Sequence, residues 1–182
     1  TSSNTSVASV SGNTVRIIGV GTTTITAEQS GNGNYKEAIA VSQTLTVTPR
    51  GITVTANSGQ SKVYGNTDPN LSYTITNGSL VNSDVLTGSL TRVIGEDAGL
   101  YAIEQGSLAN ANYQITFVSA NFEITKADQN ISFSSLSNVV YGDSDFNLSA
   151  TSDSGLPVSY TSSNTSVASV SGNTVRITGV GR

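Results

Sequence analysis

The chain has 182 residues, only 11% of them charged, and a net charge of −4. Eight Lys and Arg cannot neutralise a run of phosphates or coat an anionic bilayer, and no apolar run approaches the roughly 18 residues of a membrane-spanning helix, so nucleic-acid binding and membrane insertion by this segment are excluded. Cys, His, Met and Trp are all absent, which removes disulfides, zinc thiolates, thiol nucleophiles and the readily oxidised sulfur side chains, and fits a protein exposed outside the cell.

The first 21 residues, TSSNTSVASVSGNTVRIIGVG, return at 161–181 with one change, Ile18 to Thr178. A period of 160 residues with near-identity marks a tandem array, of which this chain is expected to be one unit plus an overlap cut from something longer. Within the repeated stretch two short β-runs flank Ser11-Gly12-Asn13, a hairpin turn cluster. Val15 and Ile17 share one strand face. Because Ile18 varies between the copies while Val15 and Ile17 do not, that face is predicted to be the core. Residues 22–27 (TTTITA) and 43–48 alternate apolar residues with threonine, as half-solvated strands do. Pro49-Arg50 then closes residues 1–48, read as the back part of a β-sandwich module.

Residues 49–127 contain seven or so short runs separated by Gly, Asn, Asp and Pro, the spacing of an antiparallel sandwich with no helix. One of those runs is residues 85–90. Residues 128–182 open with Ile131-Ser132-Phe133, run into the second copy of the repeat, and read as the front part of a module whose back part is the copy at residues 1–48. Joined in the repeat frame, the two ends make one module of about 81 residues, close in length to the central one. The two modules also align with each other, Val63-Tyr64-Gly65 with Val140-Tyr141-Gly142 and Asn34-Tyr35 with Asn112-Tyr113. The predicted fold is therefore all-β: tandem antiparallel β-sandwich modules in an elongated head-to-tail array, each about 35 Å long, with short junctions restraining neighbours.

Lys62-Val63-Tyr64-Gly65-Asn66, Asp68-Pro69, Leu86-Thr87-Gly88, the run from Gly95 to Tyr101, Asn112-Tyr113 and Ile124-Thr125-Lys126-Ala127 resemble the MBG domain of the YGX type. Tyr160 to Asn164, Val167-Ala168-Ser169-Val170 and Gly179-Val180-Gly181 are similar to bacterial Ig-like domains of the Big type. These resemblances imply a bacterial surface or secreted protein built of tandem Ig-like antiparallel β-sandwich modules, with residues 1–48 the C-terminal part of one bacterial Ig-like module and residues 128–182 the N-terminal part of the next. The expected role is a structural stalk or adhesin repeat giving reach and multivalent attachment, with gliding-type adhesins and filaments among the forms implied. Its expected partners are adjacent repeats of the same protein, head to tail, together with surface glycans or other cells. The alternative is a carbohydrate-binding module of a secreted polysaccharide-acting protein.

No catalytic or cofactor-binding residue is expected. Neither resemblance carries a catalytic motif, and Glu96-Asp97 beside Arg92 reads as a salt bridge or turn anchor. Asp143 and Asp145 are the only calcium candidates; they lack the continuation of a calcium loop, so solvated turn residues are the default. The seven tyrosines recur at matched places and are expected to be mostly core, with Tyr35 and Tyr113 as corner tyrosines, rings inward and hydroxyls on backbone. Lys62 or Lys126 could join Asn or Asp in an amide crosslink, although no local pattern demands it. The two truncated ends each leave open sheet edges, and they are expected to complete each other between neighbouring chains or along a continuous filament.

Overall fold

A computed structural model describes residues 1–181; Arg182, the last residue of the predicted 128–182 module, lies outside the described residues. Every regular element among the described residues is a β-strand. Two compact units divide the chain, Thr1–Lys126 and the remainder from Ala127.

In the first unit, β1 (Ala8–Ser11) and β2 (Thr14–Ile17) form a hairpin whose two-residue connection starts at Gly12, φ 57°. That positive φ is what a tight hairpin asks of its first turn residue. β3 (Gly21–Ala27) and β4 (Val41–Val47) pair antiparallel, with Thr23 opposite Leu45 and Ala27 opposite Val41. The ladder stops at Val47, two residues before Pro49, which has no N–H to donate.

Seven strands follow: β5 (Arg50–Ala56), β6 (Gln60–Val63), β7 (Tyr73–Asn77), β8 (Thr91–Arg92), β9 (Gly99–Glu104), β10 (Tyr113–Val118) and β11 (Asn121–Thr125). They make two sheets, β10-β5-β7 and β6-β11-β9-β8. Ile52, Val54 and Ala56 from one sheet and Ile103, Phe122 and Ile124 from the other share one core with Leu90, Leu108 and Tyr113. Pairing is not purely antiparallel as the sequence suggested, because β5 runs parallel to β10 and β6 parallel to β11. The reason is topological. The segment carrying β5 and β6 crosses from one sheet to the other near Gly59, φ 75°, and the segment carrying β10 and β11 crosses beside it at Ser119 and Ala120 in the same direction. Residues 85–90, expected as a strand, contribute only an isolated bridge from Thr87 to Ala109. Gly88, at φ 87° and pressed against the Ser107 backbone, breaks the extended run.

The second unit holds β12 (Ile131–Phe133), β13 (Phe146–Asn147), β14 (Ala150–Ser152), β15 (Ala168–Ser171) and β16 (Thr174–Ile177). β12 pairs with β14, and β13 adds to the free edge of the β15–β16 hairpin, placing Phe146 beside Val175. Tyr160 closes the space between these layers: its hydroxyl accepts the Ala150 N–H at 2.7 Å and its ring meets Phe133 edge-on, centroids 5.7 Å apart.

Candidate functional site

Two cations and two carboxylates converge at one end of the central core. Lys62 stands on an inward-facing position of β6, beside Ile124 in the ladder, and its side chain is only 4% exposed. An amine there needs anionic partners. It has two, Asp68 at 2.7 Å and Glu96 at 2.5 Å. Arg92, on the short strand β8, is equally enclosed and binds the same pair: Nε donates to Asp68 Oδ2 at 2.6 Å, and one terminal nitrogen donates to Asp68 Oδ1 at 3.0 Å and to Glu96 at 2.8 Å. Its other terminal nitrogen reaches the carbonyl of Gly95 at 2.6 Å. The guanidinium carbon lies 5.1 Å from the ring centre of Tyr101 and 5.2 Å from that of Phe122, within cation–π range of both.

The loop before β9 is shaped to this cluster. A Cβ on Gly95 would sit 2.1 Å from the Tyr101 ring, so no side chain fits there, and the Tyr101 hydroxyl ties the loop back by donating to the Asp97 carbonyl at 2.8 Å. Hydrogen bonds from Arg92 and then Lys62 hold the Asp68 carboxyl at about 2, below its usual 3.8. Lys62 and Arg92 hold Glu96 low, and Asp68 followed by Glu96 holds Lys62 high. The charges cancel two against two. Each carboxylate is committed to two cations, leaving neither poised as a base, and condensation of Lys62 with Asp68 would need an uncharged amine facing a protonated acid. An open groove of about 610 Å³ runs past the cluster between Pro69, Leu71, Tyr73 and Ile94.

Of the salt bridge or turn anchor expected at Arg92, Glu96 and Asp97, the Arg92–Glu96 pair is present, Asp97 enters only through its backbone carbonyl, and sequence reasoning missed that Lys62 and Asp68 complete the group. Tyr113 is a corner tyrosine as expected, buried, with its hydroxyl accepting the Val81 N–H at 2.8 Å. Tyr35 is not: it is 76% exposed in the loop between β3 and β4, folded locally against Asn32. Tyr64 and Tyr141, also expected to be core, are exposed in matched turns. The predicted core face of the first repeat copy is uncovered too, with Val15 and Ile17 both exposed, because no third strand lies against β2. Asp143 accepts the Val140 N–H at 2.8 Å and so closes its own turn; Asp145 is exposed. Among the described residues no group of three or more acidic or other metal-ligating side chains gathers.

Asn112, which the sequence marks only as the neighbour of Tyr113, joins the pieces of the first unit. Its side-chain oxygen accepts the Val20 N–H at 3.0 Å while its carbonyl accepts the Arg50 N–H at 2.9 Å, so it binds both the end of the repeated hairpin stretch and the start of β5.

Residues 52–123 match the family model of the MBG domain (YGX type), a span that includes all four charged residues of the cluster and all of the core they border except Ile124. No curated protein and no solved structure matches the chain.

Proposed function

We propose that the chain is a structural repeat of a bacterial surface or secreted protein, a spacer and attachment element without catalytic chemistry of its own. Domains of the MBG type occur in bacterial surface and extracellular proteins, which supports the setting. The observation that carries the reading is the recurrence of one 21-residue stretch after 160 residues around a central module whose one charged cluster, Lys62, Asp68, Arg92 and Glu96, neutralises itself. Such a unit adds length and repeated surface. Neighbouring repeats are its first partners, and multivalent contact with glycans or cells follows from their number. Binding of the chain to a glycan panel and to bacterial and animal cell surfaces, with and without calcium, tests this reading. Turnover of a polysaccharide would contradict it.

One observation favours carbohydrate recognition as the form the attachment takes. Tyr64 and Tyr141 project from equivalent turns, each just before a left-handed glycine, Gly65 at φ 86° and Gly142 at φ 100°. Each exposed ring by itself offers a flat apolar face on which a sugar can stack. Saturable glycan binding lost in Tyr64→Ala and Tyr141→Ala supports this form; binding unchanged in both variants removes it.

A further inference from the structure

Asparagine is followed by glycine at two places in this chain, Asn32-Gly33 and Asn77-Gly78. Glycine has no Cβ, so its backbone nitrogen is open to approach by the side chain before it. Both pairs lie at exposed positions where water reaches them. Their hydrogen bonding differs.

At Asn32 the side-chain oxygen is taken by residues further along the chain. It accepts the N–H groups of Asn34 at 2.9 Å and Tyr35 at 3.0 Å, and the Asn32 N–H donates to the Tyr35 carbonyl at 2.9 Å. Turning this carboxamide onto the Gly33 nitrogen breaks both bonds that its oxygen accepts. At Asn77 the arrangement is reversed: the side-chain oxygen accepts the N–H of Gly78 itself at 3.1 Å, and among the described residues that nitrogen makes no other hydrogen bond. Asn77 is the last residue of β7, and the chain turns at Gly78 with φ 76°, a conformation glycine adopts freely. The amide nitrogen of Gly78 is thus held alongside the Asn77 carboxamide, and no third residue competes for either.

We propose that Asn77 is a site of spontaneous modification, in which its side-chain amide is lost to the backbone of Gly78. The Gly78 nitrogen bonds to Asn77 Cγ, and the Cγ–Nδ2 bond breaks. The proton of the Gly78 N–H passes through water to the departing nitrogen, which leaves as ammonia, and a cyclic imide joins the two residues. Water then opens the imide. Addition at Cγ breaks its bond to the Gly78 nitrogen and leaves aspartate; addition at the Asn77 backbone carbonyl carbon breaks the original peptide bond and leaves isoaspartate. Water is the only co-reactant, and holding the two groups together replaces a search by a local rotation. Each event adds one negative charge to a chain that carries −4. Isoaspartate also lengthens the backbone where Asn77 pairs with Thr53 and where Gly78 leaves no room for a side chain beside the Gly51 carbonyl, so it loosens that end of the β5–β7 ladder.

The test is peptide mapping of the full 182-residue chain, freshly purified and then incubated at mildly alkaline pH, both folded and in urea. Trypsin separates the two sites, since Asn32 lies between Arg16 and Lys36 and Asn77 between Lys62 and Arg92. In the folded chain Asn77 should gain one mass unit and yield isoaspartate about tenfold faster than Asn32. In urea, where both turns are lost, the two rates should converge. Asn77→Gln, at an exposed position, should remove the fast event and leave the slow one at Asn32. Equal rates at the two sites of the folded chain, a faster reaction at Asn32, or an Asn77 that stays intact overturns the proposal. So does a preference for Asn77 that persists undiminished in urea, since its cause would then lie in the local sequence.

Discussion

Val15 and Val175 hold the same position in two copies of one hairpin, yet Val15 is 42% exposed and Val175 only 5%. The difference is the third strand: Val175 pairs with Val170 on one side and Phe146 on the other, whereas Val15 pairs with Val10 alone. Burial here is a property of the neighbours, since the local sequence is shared.

The consequence is measurable. Val175→Ala should destabilise the second unit by about 1–2 kcal/mol, from lost burial plus a residual cavity, whereas Val15→Ala should stay within about 0.5 kcal/mol. Urea unfolding of the two variants compares them directly.

Acid should act on the central module through Asp68 and Glu96. Both carboxyls titrate lower when folded, so the stability they contribute is full above the unfolded carboxylate range and drains away as pH falls from about 4 to about 2. Lys62, raised by its partners, acts in the opposite sense, and its share fades only above the ordinary lysine range. The chain has no Trp, so tyrosine fluorescence can follow urea unfolding at each pH. Asp68→Asn should flatten the acid limb while lowering stability at neutral pH.

Arg92 cannot be replaced by another cation. Arg92→Lys keeps the charge but loses the fork on Asp68 and the stacking between Tyr101 and Phe122, and should recover little of the loss seen in Arg92→Ala. That loss is about 2 kcal/mol, below the range for a fully enclosed pair because Glu96 is 69% exposed and Asp68 is partly open to solvent. Thermal unfolding of the three proteins decides it.

The same charges argue against a covalent crosslink. With Asp68 held ionised and Lys62 held protonated, the intact mass of the purified chain should equal that of its sequence. A deficit of one water, localised by digestion to Lys62 and Asp68, would show that the amide forms.

Strand content was legible wherever alternation was long and uninterrupted, as in residues 22–27 and 121–125, because each apolar side chain there takes one face of a sheet. Less was legible where partners are distant. Asp68 and Arg92 are 24 positions apart, and nothing in the run Lys62-Val63-Tyr64-Gly65 tells which face of its strand Lys62 takes. Asn34-Tyr35 and Asn112-Tyr113 read alike, yet only Tyr113 has a second sheet to pack against, which is why one ring is buried and the other free. Parallel pairing of β5 with β10 was invisible because alternation fixes which face a residue takes and says nothing of which strand lies beside it.

The central claim is a place on the outside of a bacterium, and labelling of intact cells addresses it most directly. Antibodies raised against the chain should decorate unpermeabilised cells of the organism that encodes it, or the material it secretes. Label that appears only after the cells are opened would contradict the account.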